Sequence, residues 1–515
     1  MKPIRLMSGF LTVGGWTFAS RILGFLRDMA IASMLGAGPV AEAFLIAFSL
    51  PNMFRRFFAE GAFNMAFVPM FSKKLEGDET QAQARVFAQD AFAALGSVLI
   101  VFTVIAQIFM PALVLAMASG FAGDERFDLA VLFGRIAFPY ILLISLAALL
   151  SGLLNATGKF FAAAAAPVAL NLVFLGALGL GNIFGWNPGL TLAWSVPVAG
   201  VIQMGIVWRA AAAEGYRLYP RLPRLTPEVR RLAVIAGPAA LAGGVVQVNL
   251  LIGRQVASYF DGAVAWLNYA DRLYQLPLGV VGVAIGVVLL PDLSRRLRAG
   301  DTAGGRDAMN RAAEVSLALT IPAAVALIAM PHALVTILFQ RGAFDAADTQ
   351  STALAVAVYG LGLPSFVLQK VLQPLFFARE DTKRPFYIAL ASLAINLGMA
   401  VGLSPFIGYI AAAWGTTLAG WGTVLLLWIM SRGMGEAAQT DARFRSRIWR
   451  IIVASLAMGA ILAALSSVLT PMLANGALKL PILLALVISG IVSYFGIGQV
   501  IGAFRLSEFK RNLKR

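Results

Sequence analysis

Eight basic residues lie inside long apolar runs of this 515-residue chain: Arg21, Arg27, Arg55, Arg56, Arg135, Arg254, Arg272 and Lys370. Four carboxylates share those runs, Asp28, Glu42, Glu60 and Asp271. Asp28 follows Arg21 by seven residues and Glu60 follows Arg56 by four, spacings that put each acid near its base on one helix face. Even with every acid paired, four positive charges remain. A charge at the centre of a membrane helix costs roughly 2.5–3.5 kcal/mol, so eight facing lipid would cost on the order of 20 kcal/mol. Such residues must line a wet cavity, pair, or snorkel to an interface. The surplus calls for an anion, and the planar fork of arginine suits phosphate better than a point charge does.

Other chemistries find little footing. The chain has no cysteine, hence no disulfide, thiolate metal site or thiol nucleophile. Its one histidine, His332, stands alone in an apolar run and reads as packing near the outer end of a span. The intramembrane acids do not cluster as a metal-dependent transferase requires, and no P-loop pattern supplies a nucleotide site. We therefore expect no enzyme, metal or cofactor, and leave coupling to the membrane potential or a monovalent ion open. Arg135 and Lys370 also fit a snorkelling or structural role. A bend at Pro51-Asn52 would bring Arg55 and Arg56 near an interface.

The elements that must position these charges are membrane helices. The sequence is 59% hydrophobic and 13% charged, about half the charge of a typical soluble chain. Its mean hydropathy is +0.81. Runs of about 20 apolar residues, each enough to span a bilayer, number fourteen. They fall near 7–35, 40–71, 87–118, 128–157, 161–184, 189–211, 230–259, 263–293, 312–339, 350–377, 385–404, 408–431, 448–471 and 480–503. Gly- and Pro-bearing loops separate several of them, as at GAGP (36–39), FAGDERFD (121–128), WNPG (186–189) and SPFIG (404–408). No small-residue cleavage site follows a clean apolar core near the start, so no removable leader is expected.

The net charge of +16 would suggest nucleic acid in a soluble protein, but here it is distributed by topology. With the N-terminus cytoplasmic, the cytoplasmic loops and both termini hold thirty of the 41 Lys and Arg residues. The opposite loops hold only Arg126, Arg341 and Lys479. This asymmetry predicts both ends on the cytoplasmic side of the membrane and removes the need for nucleic acid.

An internal repeat organises the spans. AFVPMFSKKL (66–75) resembles VLLPDLSRRL (288–297), NATGK (155–159) weakly matches REDTK (379–383), and Asn171 answers Asn396, at offsets of 222, 224 and 225. Six spans return the chain to the same side, so the repeat predicts an all-α membrane protein with two parallel six-helix lobes around a central cationic cavity. The lobes would be 1–222 and 223–445, with the last two helices and a basic tail in 446–515. Transporters built from such repeats place their substrate path between the halves.

Four segments carry a family resemblance: SRILGFLRDMAIASMLGAG (20–38), AEAFLIAFSLPNMFRRFFAEGAFNMAFVP (41–69), FPYILLISLAALLSGLLNATGKF (138–160) and NYADRLYQLPLGVVGVAIGVVLLP (268–291). They resemble the MurJ (MviN) family of the multidrug/oligosaccharidyl-lipid/polysaccharide exporter superfamily. The resemblance implies fourteen helices, flipping of lipid II from the cytoplasmic to the periplasmic leaflet by alternating access, and a tail groove along the last two helices. It implies Arg21, Arg27 and Asp28 as site residues from the first motif, and Arg55, Arg56 and Glu60 from the second. Arg272 comes from Y-A-D-R-L, and Glu42 stands where an aspartate is common. Arg254 joins the candidate set on its charge alone. Expected partners are lipid II and membrane lipids, with the protein a monomer and contacts to cell-wall synthesis proteins left open. The alternative is an exporter of another polyprenyl-pyrophosphate-linked oligosaccharide. For the tail groove, Gly459, Ala463 and Gly490 are the expected lining positions.

Overall fold

Helix starts and stops fall where short polar residues, proline and glycine demand them. A computed structural model describes residues 6–55, 62–76, 81–474 and 476–503. Arg56 and Glu60 lie outside the described residues. Every regular element among the described residues is helical.

The first unit, Met1–Leu251, contains α1 (Leu6–Leu35), α2 (Pro39–Arg55), α3 (Ala62–Glu76), α4 (Gln81–Ile108) and α5 (Met110–Met117). It continues through α6 (Glu125–Ala137), α7 (Tyr140–Ala156), α8 (Phe161–Phe184) and α9 (Pro188–Ala213) into α10 (Pro227–Ala257). The second unit, Ile252–Arg515, contains α11 (Ala263–Arg298), α12 (Thr302–Ala329), α13 (Pro331–Leu338) and α14 (Ala346–Phe377). It ends with α15 (Lys383–Ile407), α16 (Ile410–Ser431), α17 (Ala442–Leu469) and α18 (Lys479–Val500). The boundary between the units falls inside α10.

Among the described residues, the expected runs fall on helices, some on a consecutive pair, and the run at 40–71 lies partly outside the described residues. Among the described residues, ten helical segments are long and apolar enough to cross a membrane. The other four runs are those holding α1, α2 with α3, α10 and α11, which carry most of the charges singled out above.

Local chemistry explains the joints. At WNPG, α8 ends on Gly185 in the left-handed region (φ 68°), where a side chain would be strained. Asn187 then accepts from Leu190 N–H at 3.0 Å and Pro188 opens α9 in the first turn, where its missing N–H costs nothing. Asp124 and Asp345 cap α6 and α14 in the same way. The expected bend at Pro51-Asn52 does not break the chain. Helix α2 runs through Pro51 to Arg55, and the Asn52 side chain donates to Phe48 O at 2.8 Å.

Each unit carries a fastening between two helix starts. In the first, Glu42 at the start of α2 pairs with Arg126 at the start of α6 at 3.0 Å. In the second, Trp266 at the start of α11 donates to Asp348 at the start of α14 at 2.8 Å. Positions 42 and 266, and 126 and 348, stand at offsets of 224 and 222, the same as the sequence repeat. The chemistry has changed from ion pair to indole–carboxylate bond while the place has been kept. Met-Pro dipeptides at 110–111 and 330–331 likewise open the short helices α5 and α13.

Helices α17 and α18 pack on α12 and α13 through Met330, Ile337, Met458, Leu462 and Leu486. Tyr494 also donates to Ala318 O at 2.5 Å. This overturns part of the groove expectation. A Cβ built on Gly459 would lie 2.3 Å from Val325, and one on Gly490 would lie 3.4 Å from Leu462. Both glycines are buried. At Gly459 the lack of a side chain permits close approach to Val325, so bulk there disrupts packing whatever the ligand, whereas a Cβ on Gly490 would make ordinary contact with Leu462. Of the three positions, only Ala463 is exposed.

Candidate functional site

Within the first unit, the candidate charges separate into bound and open groups. Arg27 is buried, with 7% of its surface exposed. Its Nε and Nη2 donate to Asp28 Oδ1 at 3.0 and 2.7 Å. Its Nη1 donates to Asn171 Oδ1, on α8, at 3.1 Å. Asn171 in turn donates to Ser20 O at 3.0 Å, closing the network back onto α1. The guanidinium carbon lies 5.9 and 5.6 Å from the ring centres of Phe48 and Phe174, within cation–π range. Spacing along the helix had paired Asp28 with Arg21, whereas the structure gives it to Arg27, and this quartet fastens α1 to α8.

Arg21 behaves differently. It is exposed and makes no ion pair or hydrogen bond among the described residues. Arg55, at the end of α2, lines a cavity within the unit. Glu42 is 1% exposed and held by Arg126, whose guanidinium also binds Asp124 at 2.6 Å and sits 4.5 Å above the Phe121 ring. Partial burial works to raise the Asp124 pKa, but the hydrogen bonds and charge of Arg126 outweigh it and hold the carboxyl below its ordinary range. Glu42 and Arg126 therefore join two helix starts. Arg135 is exposed.

The second unit gathers its own cluster. Asp271, half-buried on α11, accepts hydrogen bonds from Gln275 and Tyr274 and lies within electrostatic reach of both Arg272 and Arg254. Tyr274 packs on Tyr359 and Phe366 of α14, with ring centres 5.0 and 5.5 Å away. Two guanidinium groups thus act on one carboxylate, and Arg254, which had no motif to support it, joins the motif arginine within electrostatic reach of Asp271. Lys370 is exposed.

Sequence reasoning missed Asn171 as the partner of Arg27, although its match to Asn396 had marked it. It also passed over Tyr274 and Gln275, whose only signal was a place in an arginine-bearing motif, and Tyr359, which no motif marked. Among the described residues no group of three or more His, Asp or Glu side chains could hold a metal ion. The arrangement offers donors for an anion at membrane depth.

Long apolar helices in two units, with arginines set inside them, are the build of a polytopic membrane transporter. The solved structures it resembles agree on that fold. One, a lipid II flippase MurJ in an inward closed conformation, matches with a TM-score of 0.79 at 23% identity, covering 98% of this chain and 99% of that one. Another, an inward-facing multidrug resistance MATE family transporter of the MOP superfamily, matches at 0.67 and 14% identity, covering 82% and 96%.

The family described as lipid II flippase MurJ matches residues 31–486. A probable lipid II flippase MurJ from Rhizobium tropici is 43% identical over 518 residues, covering 99% of this chain and 97% of its own. The lipid II flippase MurJ of Burkholderia cenocepacia is 33% identical, covering 99% of this chain and 100% of its own. The chain belongs to the MurJ family.

Proposed function

We propose that this protein is a lipid II flippase, carrying the undecaprenyl-pyrophosphate-linked precursor from the cytoplasmic to the periplasmic leaflet of the bacterial inner membrane by alternating access. Membership of the MurJ family along nearly the whole chain carries the reading. The charges give it a physical basis. A pyrophosphate must shed much of its hydration to enter a membrane protein, and paired guanidinium forks replace that water with directed hydrogen bonds. The isoprenoid tail can stay in lipid meanwhile.

In this reading Arg21, Arg55, Arg56, Arg254 and Arg272 are assigned to binding the pyrophosphate. Asp28 and Glu42 serve by holding Arg27 and Arg126, and Glu60 is assigned to Arg56 by its spacing. The chain acts as a monomeric transporter without enzymatic chemistry or bound cofactor, driven by the membrane potential or a monovalent ion gradient. The two six-helix repeats, 1–222 and 223–445, are the functional halves, and 446–515 supplies the tail-binding helices. Both termini are cytoplasmic in this reading, which the gathering of basic residues into alternate loops supports.

Depletion of the native flippase in a host cell, followed by expression of this chain, tests the assignment. Growth should return and accumulated lipid II should fall to its normal level. Accumulation of a different polyprenyl-linked sugar on loss of this protein in its own cell, with lipid II unchanged, would favour the related exporter instead.

A further inference from the structure

A cavity of about 370 Å³ lies wholly within the first unit, bounded by the end of α2 and by α3, α7, α8 and α9. Its volume falls in the range of roughly 300–1,000 Å³ typical of ligand sites. Arg55, Asn64, Ser151, Asn155 and Gln203 form its polar lining, against small apolar walls such as Val68.

The hydrogen-bonding inventory of that lining is lopsided. Gln203 is already engaged, accepting from Tyr140 Oη and donating to Ala166 O, each at 3.0 Å. Ser151 donates its one proton to Ala147 O at 2.8 Å, which leaves it only lone pairs. Asn64 donates to Ala148 O at 3.3 Å. Because that carbonyl can only accept, the orientation of the Asn64 amide is set by its partner. Its Oδ1 is buried and accepts no hydrogen bond among the described residues. Gly152 makes this placement possible, since a Cβ there would lie 3.0 Å from that oxygen. Asn155 lies one turn beyond Ser151 on the same face of α7 and is exposed.

Acceptors therefore predominate on one wall, where the Asn155 amide can both give and take, and a guanidinium stands at another. A ligand that fits must give a hydrogen to Asn64 Oδ1 and can place an oxygen beside Arg55. A bare pyrophosphate has few hydrogens to give at neutral pH and would leave Asn64 Oδ1 without a donor. An N-acetylated sugar has both kinds of group, in its hydroxyls, its amide N–H and its acetyl oxygen. We infer that this cavity is a subsite for the N-acetylated sugars of the headgroup, with Asn64 Oδ1 accepting from a hydroxyl or amide N–H and Arg55 donating to a ligand oxygen. The inference rests on the flippase reading and adds sugar recognition to it.

Two probes test it: undecaprenyl pyrophosphate, and the same lipid carrying the N-acetylated disaccharide without peptide. Each is titrated against the purified full-length protein and its variants. Asn64→Ala and, separately, Asn155→Ala should weaken the disaccharide-bearing probe about tenfold while leaving the bare probe within about twofold. Asn155 is exposed, so its variant guards against a folding defect in Asn64→Ala. Equal weakening of both probes by both variants, or no weakening of either, overturns the subsite. Failure of the unaltered protein to bind either probe overturns the flippase reading beneath it.

Discussion

Arg27→Ala is expected to destabilise the first unit by roughly 3–5 kcal/mol, the usual consequence of removing one partner from a buried ion pair. The variant strips the guanidinium from Asp28 and leaves Asn171 Oδ1 without its donor. Membrane abundance and the melting temperature of purified protein should both fall. Arg27→Gln combined with Asp28→Asn should recover part of the loss, since no buried charge is then stranded. An Arg27→Ala protein that melts normally but transports nothing would instead put Arg27 among the residues that hold substrate.

Arg21→Ala and Arg272→Ala should show the opposite pattern, with stability kept and substrate lost. Arg21 is exposed and makes no ion pair or hydrogen bond among the described residues, and Asp271 keeps its hydrogen bonds from Tyr274 and Gln275 when Arg272 is removed. Hydrogen bonds to charged groups contribute about 1.5–3 kcal/mol each, so lipid II affinity should fall by about 10- to 100-fold per substitution. Arg272→Lys keeps the charge but not the fork and should recover only part of that affinity. Titration of undecaprenyl pyrophosphate and of lipid II against the variants checks this. Unchanged affinity for both probes would remove these arginines from the site.

Much of this was legible in the sequence, and the exceptions share a cause. Loop signals such as WNPG and FAGDERFD mark real joints because the conformations of Gly185 and Pro188 and the capping by Asn187 and Asp124 are decided within a few residues. The surplus of arginine was legible because burying charge in lipid is costly wherever a helix faces. Partnerships across helices were not. Asp28 was paired by spacing with Arg21, but the winning contact involves its immediate neighbour and an asparagine 144 residues from Arg27. Glu42 finds Arg126 at a separation of 84 residues, which no local pattern reports. Gly459 and Gly490 looked like openings because glycine permits two opposite things: space for a ligand, or close approach of another helix. At Gly459, Val325 decides for the second.

The most direct test of the account is movement of substrate itself. Labelled lipid II is reconstituted with the purified protein in liposomes, and its exposure on each leaflet is followed while a membrane potential or a monovalent ion gradient is imposed. The account predicts protein-dependent transfer of lipid II between leaflets, sharply reduced by Arg21→Ala and Arg272→Ala in protein that melts normally. Lipid II that stays in its starting leaflet under every imposed gradient, with correctly folded protein present, would contradict it.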